Sequence, residues 1–251
     1  MSSNTIMSPI PPTPRSSDQR TDNDTSAPNT VANNSATAGI CEPSAPRRRY
    51  AGLSQAQRRQ QQQQQLIAAG IELFGRHGFR HTTVRGLCRE AKLTDRYFYR
   101  EFGSLERLLR AVYSDCMDRL YQQVYASVQP AAATTDATLL FRRTLQQFFQ
   151  YMRDERIARI CMIELEGVSD SMDQHYHSYI RSFAKLVLHT AQRLSAHQQP
   201  PTEHDLYLAM GLVGAIRQMT THWLQSGYNT PVETLVDSAL LLFHSALRRQ
   251  S

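Results

Sequence analysis

Cysteine is scarce in this 251-residue chain, and no two cysteines form a CxxC pair. The wide spacing of the four, Cys41, Cys88, Cys116 and Cys161, excludes the disulfide framework that holds small secreted domains together. Free thiols in a reducing compartment are the simpler interpretation. We therefore expect a cytoplasmic protein.

Long apolar runs are missing as well. No stretch approaches the ~18 residues that a membrane span needs, and the N-terminus, MSSNTIMSPIPP, lacks the basic and apolar regions of a secretory signal. The sequence contains no Gly-rich phosphate loop, nucleophile elbow or HExxH motif. We expect no membrane contact, no cofactor and no enzymatic activity.

A metal site is also not expected. His175 and His177 lie near Asp173 and Glu164 in sequence, but a spacing of two residues places the imidazoles on different faces of a helix. Solvent-exposed histidines near a helix start are the favoured interpretation.

Aromatic residues are absent from residues 1–46, which are rich in Ser, Thr, Asn, Pro and Ala. Such a segment cannot bury enough apolar surface to offset its chain entropy, so we expect a disordered tail. Arg47, Arg48 and Arg49 follow it. They are either a basic arm that contacts DNA or a solubilising linker.

Positive charge is concentrated in one segment. Residues 47–110 hold 14 Lys and Arg against 5 Asp and Glu, whereas residues 111–251 carry a net charge of −1. This asymmetry is typical of a phosphate-facing module next to a near-neutral domain, although a solvated basic face would give the same count.

Three short helices are predicted within this basic segment. Ser54 and Gln57 fit a capping box, so the first helix begins there and continues through Gln60–Gln65. Its apolar residues recur on one face, and Gly78 suits a left-handed cap at its end. Thr83 is a good N-cap for a helix over 84–91, and its hydroxyl with the free N–H groups suits a DNA phosphate.

The third helix, 95–102, carries the side chains that can read DNA. Thr94 caps it after the turn at 92–94, and Phe98 and Phe102 point inward. Arg96, Tyr97 and Arg100 fall on the outward face, where Arg96 could pair with guanine and Tyr99 could bind a phosphate. Asp95 either stabilises the helix dipole or accepts from cytosine.

Residues 58–109 resemble the N-terminal domain of the TetR family of bacterial transcriptional regulators. The resemblance rests on LIAAGIELFGRHGF, HTTVRGLCREAKLT and DRYFYREFGSLERLL. It implies DNA contacts by Thr83, Arg85, Thr94, Arg96, Tyr97 and Tyr99. The sequence departs from the family pattern at Lys92, where the turn usually has Gly, and at Gly86, where the capping box loses its acid. It also departs at Tyr97, where a small residue is common, and at Leu105, where the family has Lys.

The remainder of the chain is predicted to be helical, with no alternating strand pattern. Breaks at Pro130, Gly167–Ser169, Pro200–Pro201 and Gly227–Pro231 separate the predicted helices, which lie near 104–127, 134–152, 154–166, 171–197, 203–226 and 231–248.

The last two helices predict a homodimer. The 231–248 helix is apolar nearly all round and must be covered on both sides, while Gly211, Gly214 and Ala215 allow close approach of the helix before it. An isologous four-helix interface follows, and a glutamate at Leu240 is expected to split it. A larger monomeric bundle is the alternative.

The helices between about 113 and 200 are expected to form a sensor. An aromatic and methionine mixture would suit a small apolar or aromatic effector, although ordinary core is the favoured interpretation of each candidate taken singly. The candidates are Phe148, Met152, Met162, Phe183 and Trp223.

The sequence thus predicts an all-α protein with a disordered tail (1–46), a helix-turn-helix DNA-binding domain (47–103) and a helical ligand-binding and dimerisation domain (104–251). We expect a ligand-responsive repressor that binds a palindromic double-stranded DNA operator and is nucleoid-associated when bound. The alternatives are a transcriptional activator, a ligand-independent DNA-organising protein, and an enzyme or carrier with a vestigial DNA domain.

Overall fold

The computed structural model describes residues 54–132, 134–195 and 200–247, and these ranges contain helices and no strand. The all-α fold class is therefore confirmed. The expected tail at 1–46 and the arginines at 47–49 lie outside the described residues. The helices are α1 (Gln55–His77), α2 (Val84–Glu90), α3 (Asp95–Glu101), α4 (Leu105–Val128), α5 (Ala137–Tyr151), α6 (Glu155–Arg159), α7 (Asp170–Leu194), α8 (Glu203–Gln225) and α9 (Val232–Leu247).

Side-chain caps explain where these helices begin. At α1 the Ser54 hydroxyl accepts from the Gln57 N–H at 3.2 Å, and the Gln57 amide oxygen accepts from the Ser54 N–H at 2.8 Å. The predicted capping box is thus present. Thr202 and Asp205 form a second box at α8, which shows how much of the segmentation is set locally.

Helices α1–α3, called the head below, close around a small apolar core. Leu66 and Phe74 of α1, Leu87 of α2 and Phe98 of α3 have no exposed surface. Gly78 ends α1 with φ 84° and ψ 156°. Its φ is positive, as predicted, but its ψ differs from that of a left-handed cap because the chain turns at once into a 3-10 turn, Phe79–His81.

Helix α4 joins the head to the helices that follow. Leu108 and Val112 are fully buried, and α4 packs on α1 near its start and on α5 and α7 further along. The predicted domain boundary at 103/104 falls in the turn just before α4. One rigid helix therefore contacts both halves of the chain.

The predicted helix at 154–166 differs in the structure. Helix α6 is only five residues long and continues as a π-helical turn, Ile160–Glu164. The physical reason is tertiary. The Met162 carbonyl accepts from Arg217 of α8 at 2.9 Å, and the Glu164 carboxylate accepts from the Phe79 N–H at 2.7 Å. π turns of this kind often occur at functional positions.

Helices α5–α9, called the bundle below, pack in pairs, with α7 on α8 and α5 on α9. In α9, Leu240 is 3% exposed and Leu241 is 69% exposed. Leu240 therefore belongs to the core of its own subunit, and its expected role at a dimer interface is wrong. None of the helices in the described ranges has the length and apolarity that a membrane span requires.

Candidate DNA-binding surface and ligand cavity

The exposed face of α2 and α3 brings most of the predicted DNA-binding residues together. Arg85, Thr94, Arg96 and Tyr99 are all exposed, and a surface groove of about 620 Å³ is bordered by Thr83, Arg85 and other residues of α2 and the turn after it. In the described part of the chain, Arg96 makes no ion pair or hydrogen bond. Its guanidinium is free to approach a base edge.

Asp95 lies at the start of α3 and contacts α2. The Cys88 side chain is buried, and burial together with a hydrogen bond to Asp95 raises the pKa of its thiol to about 11. The thiol therefore remains protonated and donates to the carboxylate. This contact favours a structural role for Asp95, in addition to the helix-dipole interaction.

Two of the predicted DNA-binding residues contact each other. The Arg100 guanidinium lies 4.8 Å from the centroid of the Tyr97 ring, which is half-buried. Arg100 also donates to the Glu101 carboxylate at 2.6 Å and to the Gln62 amide oxygen at 2.6 Å. The structure thus directs Arg100 toward α1 rather than leaving it free on the outer face.

Glu101, at the end of α3, is the centre of a polar cluster that sequence reasoning missed. Its carboxylate has no exposed surface and accepts from Arg59 at 2.7 Å, from Gln63 at 2.8 Å and from Arg100. Burial raises the pKa of Glu101, but the three hydrogen bonds outweigh burial and the pKa lies below its ordinary value. The glutamine-rich turns of α1 thereby hold α3 in place.

An ion-pair chain connects the head to α6. Arg156 donates to Glu72 of α1 at 2.6 Å and to Asp154 at 2.7 Å. Its hydrogen bonds lower the pKa of both carboxyl groups below their ordinary values. Gly75 faces the same junction, where an added Cβ would lie 2.6 Å from the Arg156 Cα. The two helices therefore meet at backbone distance.

A second link joins the end of α1 to the π turn. The Glu164 carboxylate accepts from the Phe79 backbone N–H at 2.7 Å and from Arg159 at 3.0 Å. This hydrogen bond connects the π turn directly to the segment that precedes α2.

The interior of the remaining helices contains an apolar cavity of about 110 Å³. Its walls come from α4, α5, the π turn, α7, α8 and α9. Three of the five predicted ligand-contacting residues, Phe148, Met162 and Phe183, line it. Because the π turn contributes Cys161 and Met162, the cavity wall and the contact with the head belong to the same short segment.

The other two predicted residues lie elsewhere in the core. Met152 is fully buried, and its carbonyl accepts from the Tyr228 hydroxyl at 3.0 Å. Trp223 is 2% exposed and packs edge-on against Phe149 and Tyr228, while its indole N–H donates to the Thr230 carbonyl. Contact of these two with a ligand stays a prediction.

Two polar residues that were not predicted also line the cavity. Tyr113 is fully buried, and in the described ranges its hydroxyl makes no hydrogen bond. The Arg217 Nε is also buried and unpaired there, although its Nη2 donates to the Met162 carbonyl and to Glu166. A polar residue on an otherwise apolar helix face is the signal that could have found both.

Comparison with known proteins finds a family match that overlaps the head. Residues 66–112 match the family described as "Bacterial regulatory proteins, tetR family". By this match, the segment from the middle of α1 to the start of α4 is similar to TetR-family regulators. The match ends early in α4 and leaves the whole bundle outside it. No curated protein sequence matches the chain.

Solved structures share the fold over a larger part of the chain. The fatty acid degradation regulator FadR from Bacillus halodurans has a TM-score of 0.60 at 17% identity, and covers 73% of this chain and 97% of its own. FadR from Bacillus subtilis, in complex with stearoyl-CoA, scores 0.60 at 16% identity over 71% and 96%. A TetR-like regulator from Rhodococcus sp. RHA1 scores 0.59 at 18% identity over 79% and 98%.

The structure shows the local consequences where this sequence departs from the TetR family pattern. Thr83 caps α2 by accepting from the Gly86 N–H at 3.1 Å, without the reciprocal bond that an acid at 86 would make. Thr94 stands at the N-cap position of α3, but its side chain makes no capping bond. Lys92 adopts φ 55°, a left-handed conformation that costs a residue with a Cβ roughly 1–2 kcal/mol.

Of the two histidines considered for metal binding, His177 is exposed as predicted, but the prediction is wrong for His175, which is half-buried. The His175 Nε2 lies 2.8 Å from the Ser114 hydroxyl, and burial lowers the pKa of this imidazole to about 4. Within the described residues, no three His, Cys, Asp or Glu side chains are grouped as metal ligands would be.

Proposed function

We propose that this protein is a homodimeric, ligand-responsive TetR-type transcriptional regulator that represses by occupying an approximately palindromic DNA operator. The proposal assigns DNA binding to residues 47–103, and ligand binding and dimerisation to residues 104–251. The single observation that carries it is the exposed α2–α3 face, where Arg85, Thr94, Arg96 and Tyr99 stand on a basic TetR domain.

Direct DNA contacts are divided between two roles. Thr83, Thr94 and Tyr99 present hydroxyl groups that can position the protein on phosphates, whereas the free guanidinium of Arg96 can read a base edge. Tyr97 and Arg100, which stack on each other, are proposed to border this surface. Because Arg100 also binds α1, its contribution to DNA contact is expected to be smaller than that of Arg96.

A surface of α8 and α9 supports the dimer. Tyr207 of α8 is 64% exposed, and a Cβ added at Gly211 or Gly214, on the same face, would meet nothing within 4 Å. Leu241 and Leu242 of α9 are also exposed. An apolar surface with small residues at its centre suits close helix packing against a second copy of the chain.

The cavity and the π turn support ligand response. An effector that binds one conformation better than the other shifts the equilibrium between them. The Bacillus subtilis FadR structure holds stearoyl-CoA, and the apolar walls of the cavity here favour an apolar effector. Cys161 and Met162 would contact the effector. A resulting shift of the π turn would reach Phe79 through its hydrogen bond to Glu164.

The test is selection of bound duplexes from a random DNA pool with the full chain. An enriched palindrome is expected, with two half-sites about one helical turn apart. Binding that is strongly salt-dependent and enriches no motif would overturn the proposal in favour of a DNA-organising role.

Arg96→Ala sharpens this test. The variant should lose about 1–3 kcal/mol of operator binding and relax base preference at one position of each half-site. Arg119→Ala, which removes the same charge from the middle of α4, is the control and should keep the selected motif unchanged. An equal loss of affinity for every DNA sequence in Arg96→Ala would make Arg96 a phosphate contact instead.

A further inference from the structure

Two residues that line the cavity each carry a buried polar atom with no hydrogen-bond partner among the described residues, and these atoms indicate the chemistry of the ligand. Apolar cavities in proteins are ordinarily lined by groups that need no hydrogen bond, and buried donors are nearly always paired. Here the Tyr113 hydroxyl and the Arg217 Nε both lack a partner among the described residues, and both residues line the same cavity. A ligand oxygen within hydrogen-bond reach of these atoms would satisfy both.

Both atoms act as donors. Burial raises the pKa of Tyr113 well above its ordinary value of 10, so its hydroxyl keeps its proton. A guanidinium offers only donors. The charge of Arg217 acts on Tyr113 in the direction opposite to burial, which places the two groups in the same local environment. Two unpaired donors on residues that line one cavity, one of them charged, select an acceptor that carries negative charge.

Arg217 stands at the boundary between two spaces. The apolar cavity and an adjoining pocket of about 320 Å³ share four lining residues, Cys161, Met162, Tyr176 and Arg217. The guanidinium lies 5.1 Å from the centroid of the Tyr176 ring. Beyond this boundary the outer pocket includes the carboxylates of Glu166 and Asp173. These carboxylates would repel a head group that carries several phosphates.

The pairing of Arg217 with Glu166 does not prevent ligand binding. The Arg217 Nη2 donates to the Glu166 carboxylate at 3.0 Å, but the Glu166 side chain is 74% exposed. Exposed ion pairs contribute little to stability. The Nε is a separate donor on the same guanidinium, so a ligand can bind it while the Met162 carbonyl keeps its own hydrogen bond.

The volume limits the size of the apolar part. An engineered apolar cavity of about 150 Å³ accepts one benzene molecule, and the cavity here measures about 110 Å³. A compact ring or a short hydrocarbon chain fits this space with small adjustments of side chains. A stearoyl chain would require the cavity to enlarge several-fold.

We propose that the cavity binds a compact apolar ligand, about the size of a benzene ring, whose carboxyl-derived oxygen accepts hydrogen bonds from the Tyr113 hydroxyl and the Arg217 Nε. This inference rests on the proposed ligand-responsive function and specifies its effector class. The carboxyl-derived oxygen can belong to a free carboxylate or to a thioester. The acidic outer pocket favours the free carboxylate.

Calorimetric titration of the full-length protein, without DNA, tests the proposal. The probes are benzoate and hexanoate as compact carboxylates, hexanoyl-CoA as the thioester, stearate as the long chain, and toluene as the hydrocarbon without an acceptor. Benzoate or hexanoate should bind at least tenfold more tightly than toluene and than stearate. Tighter binding of hexanoyl-CoA would identify the thioester as the source of the oxygen.

Tyr113→Phe removes one oxygen atom and keeps the ring, so it tests the head group without disturbing packing. It should weaken binding of the preferred carboxyl compound about tenfold and leave toluene unchanged. Arg217→Gln should weaken it further. Tyr151→Phe is the matched control, because the Tyr151 hydroxyl donates to the Cys116 carbonyl, and it should change neither affinity.

Three results would overturn the inference. These are equal affinity for toluene and the carboxylates, equal loss for both probe types in Tyr113→Phe, or no binding of any compact probe. Each is separable from failure of the proposed function. DNA selection with the ligand-free protein still yields or lacks a palindrome, whatever the calorimetry shows.

Discussion

The head and the bundle use buried polar groups in opposite ways. In the head, the buried Glu101 carboxylate is bound by Arg59, Gln63 and Arg100. In the cavity formed by α4 and the bundle, the Tyr113 hydroxyl of α4 and the Arg217 Nε of α8 make no hydrogen bond to any described residue. A satisfied polar cluster fixes one geometry, whereas an unsatisfied one is completed by something the chain does not supply. The comparison indicates that the head is held in one geometry, whereas the cavity has hydrogen-bond donors that a ligand can use.

The junction between the two regions is polar and tightly packed. Arg156 pairs with Glu72, Glu164 accepts from Phe79, and Gly75 allows the helices to touch. The energy of such contacts depends on the separation of the helices. The junction is therefore suited to transmit a change in the bundle to the head.

The largest expected effect comes from substituting two neighbouring leucines of α9, one in the core of the bundle and one on its outer surface. Leu240→Glu places a charge at a site that is 3% exposed and should lower the free energy of unfolding by more than about 3 kcal/mol. Leu241→Glu, one residue further and 69% exposed, should keep the fold and give a monomer by light scattering. A Leu241→Glu protein that remains dimeric would place the interface elsewhere.

The junction is tested by Gly75→Ala. The new methyl group would meet the backbone of Arg156, which cannot rotate away, so α1 and α6 must separate at a cost of about 1–3 kcal/mol. Gly70→Ala is the comparison, because its methyl would meet the Cγ2 of Val112, a side-chain atom. Urea denaturation should show the larger loss for Gly75→Ala, and the reverse order would mean that the junction is loose.

The polar cluster of the head is tested by Glu101→Gln. Loss of the charge should cost about 1–2 kcal/mol of stability at pH 7 and weaken DNA binding, because α3 is less firmly held. Glu90→Gln removes a carboxylate from an exposed site on α2 and should change stability by no more than about 0.5 kcal/mol.

The pH dependence of this difference follows from the lowered pKa of Glu101. A carboxyl group with a lower pKa in the folded state stabilises the fold above its unfolded pKa, and this contribution is lost as pH falls through the folded value. The stability gap between wild-type protein and Glu101→Gln should stay constant above about pH 5 and narrow below 4.5, the ordinary value. A constant gap down to pH 3 would contradict a charged Glu101.

The smallest expected effect concerns the turn between α2 and α3. Lys92→Gly should relieve the positive φ and raise stability by up to about 1 kcal/mol, or roughly 2–4 °C in Tm. Lys92→Ala keeps a Cβ and should give no such gain. An equal rise for both would show that the backbone at 92 is not strained.

The local sequence determined a large part of this protein. Helix starts are set by caps such as Ser54 and Thr202, which act within one turn of chain, and the similarity of residues 66–112 to the TetR family is visible in the sequence alone. The exposure of Arg96 and the burial of Phe98 follow from helical periodicity alone. These features need no information from distant residues.

Only the tertiary structure decided the rest, because it depends on pairs far apart in sequence. Arg100 bonds to Gln62 in α1 rather than remaining free, and Leu240 rather than Leu241 faces the core. Tyr113 and Arg217 come from helices about one hundred residues apart, and their shared cavity exists only once α4 and α8 have packed. Periodicity gives each helix an apolar face, but only the packing of the helices decides where a cavity is left between those faces.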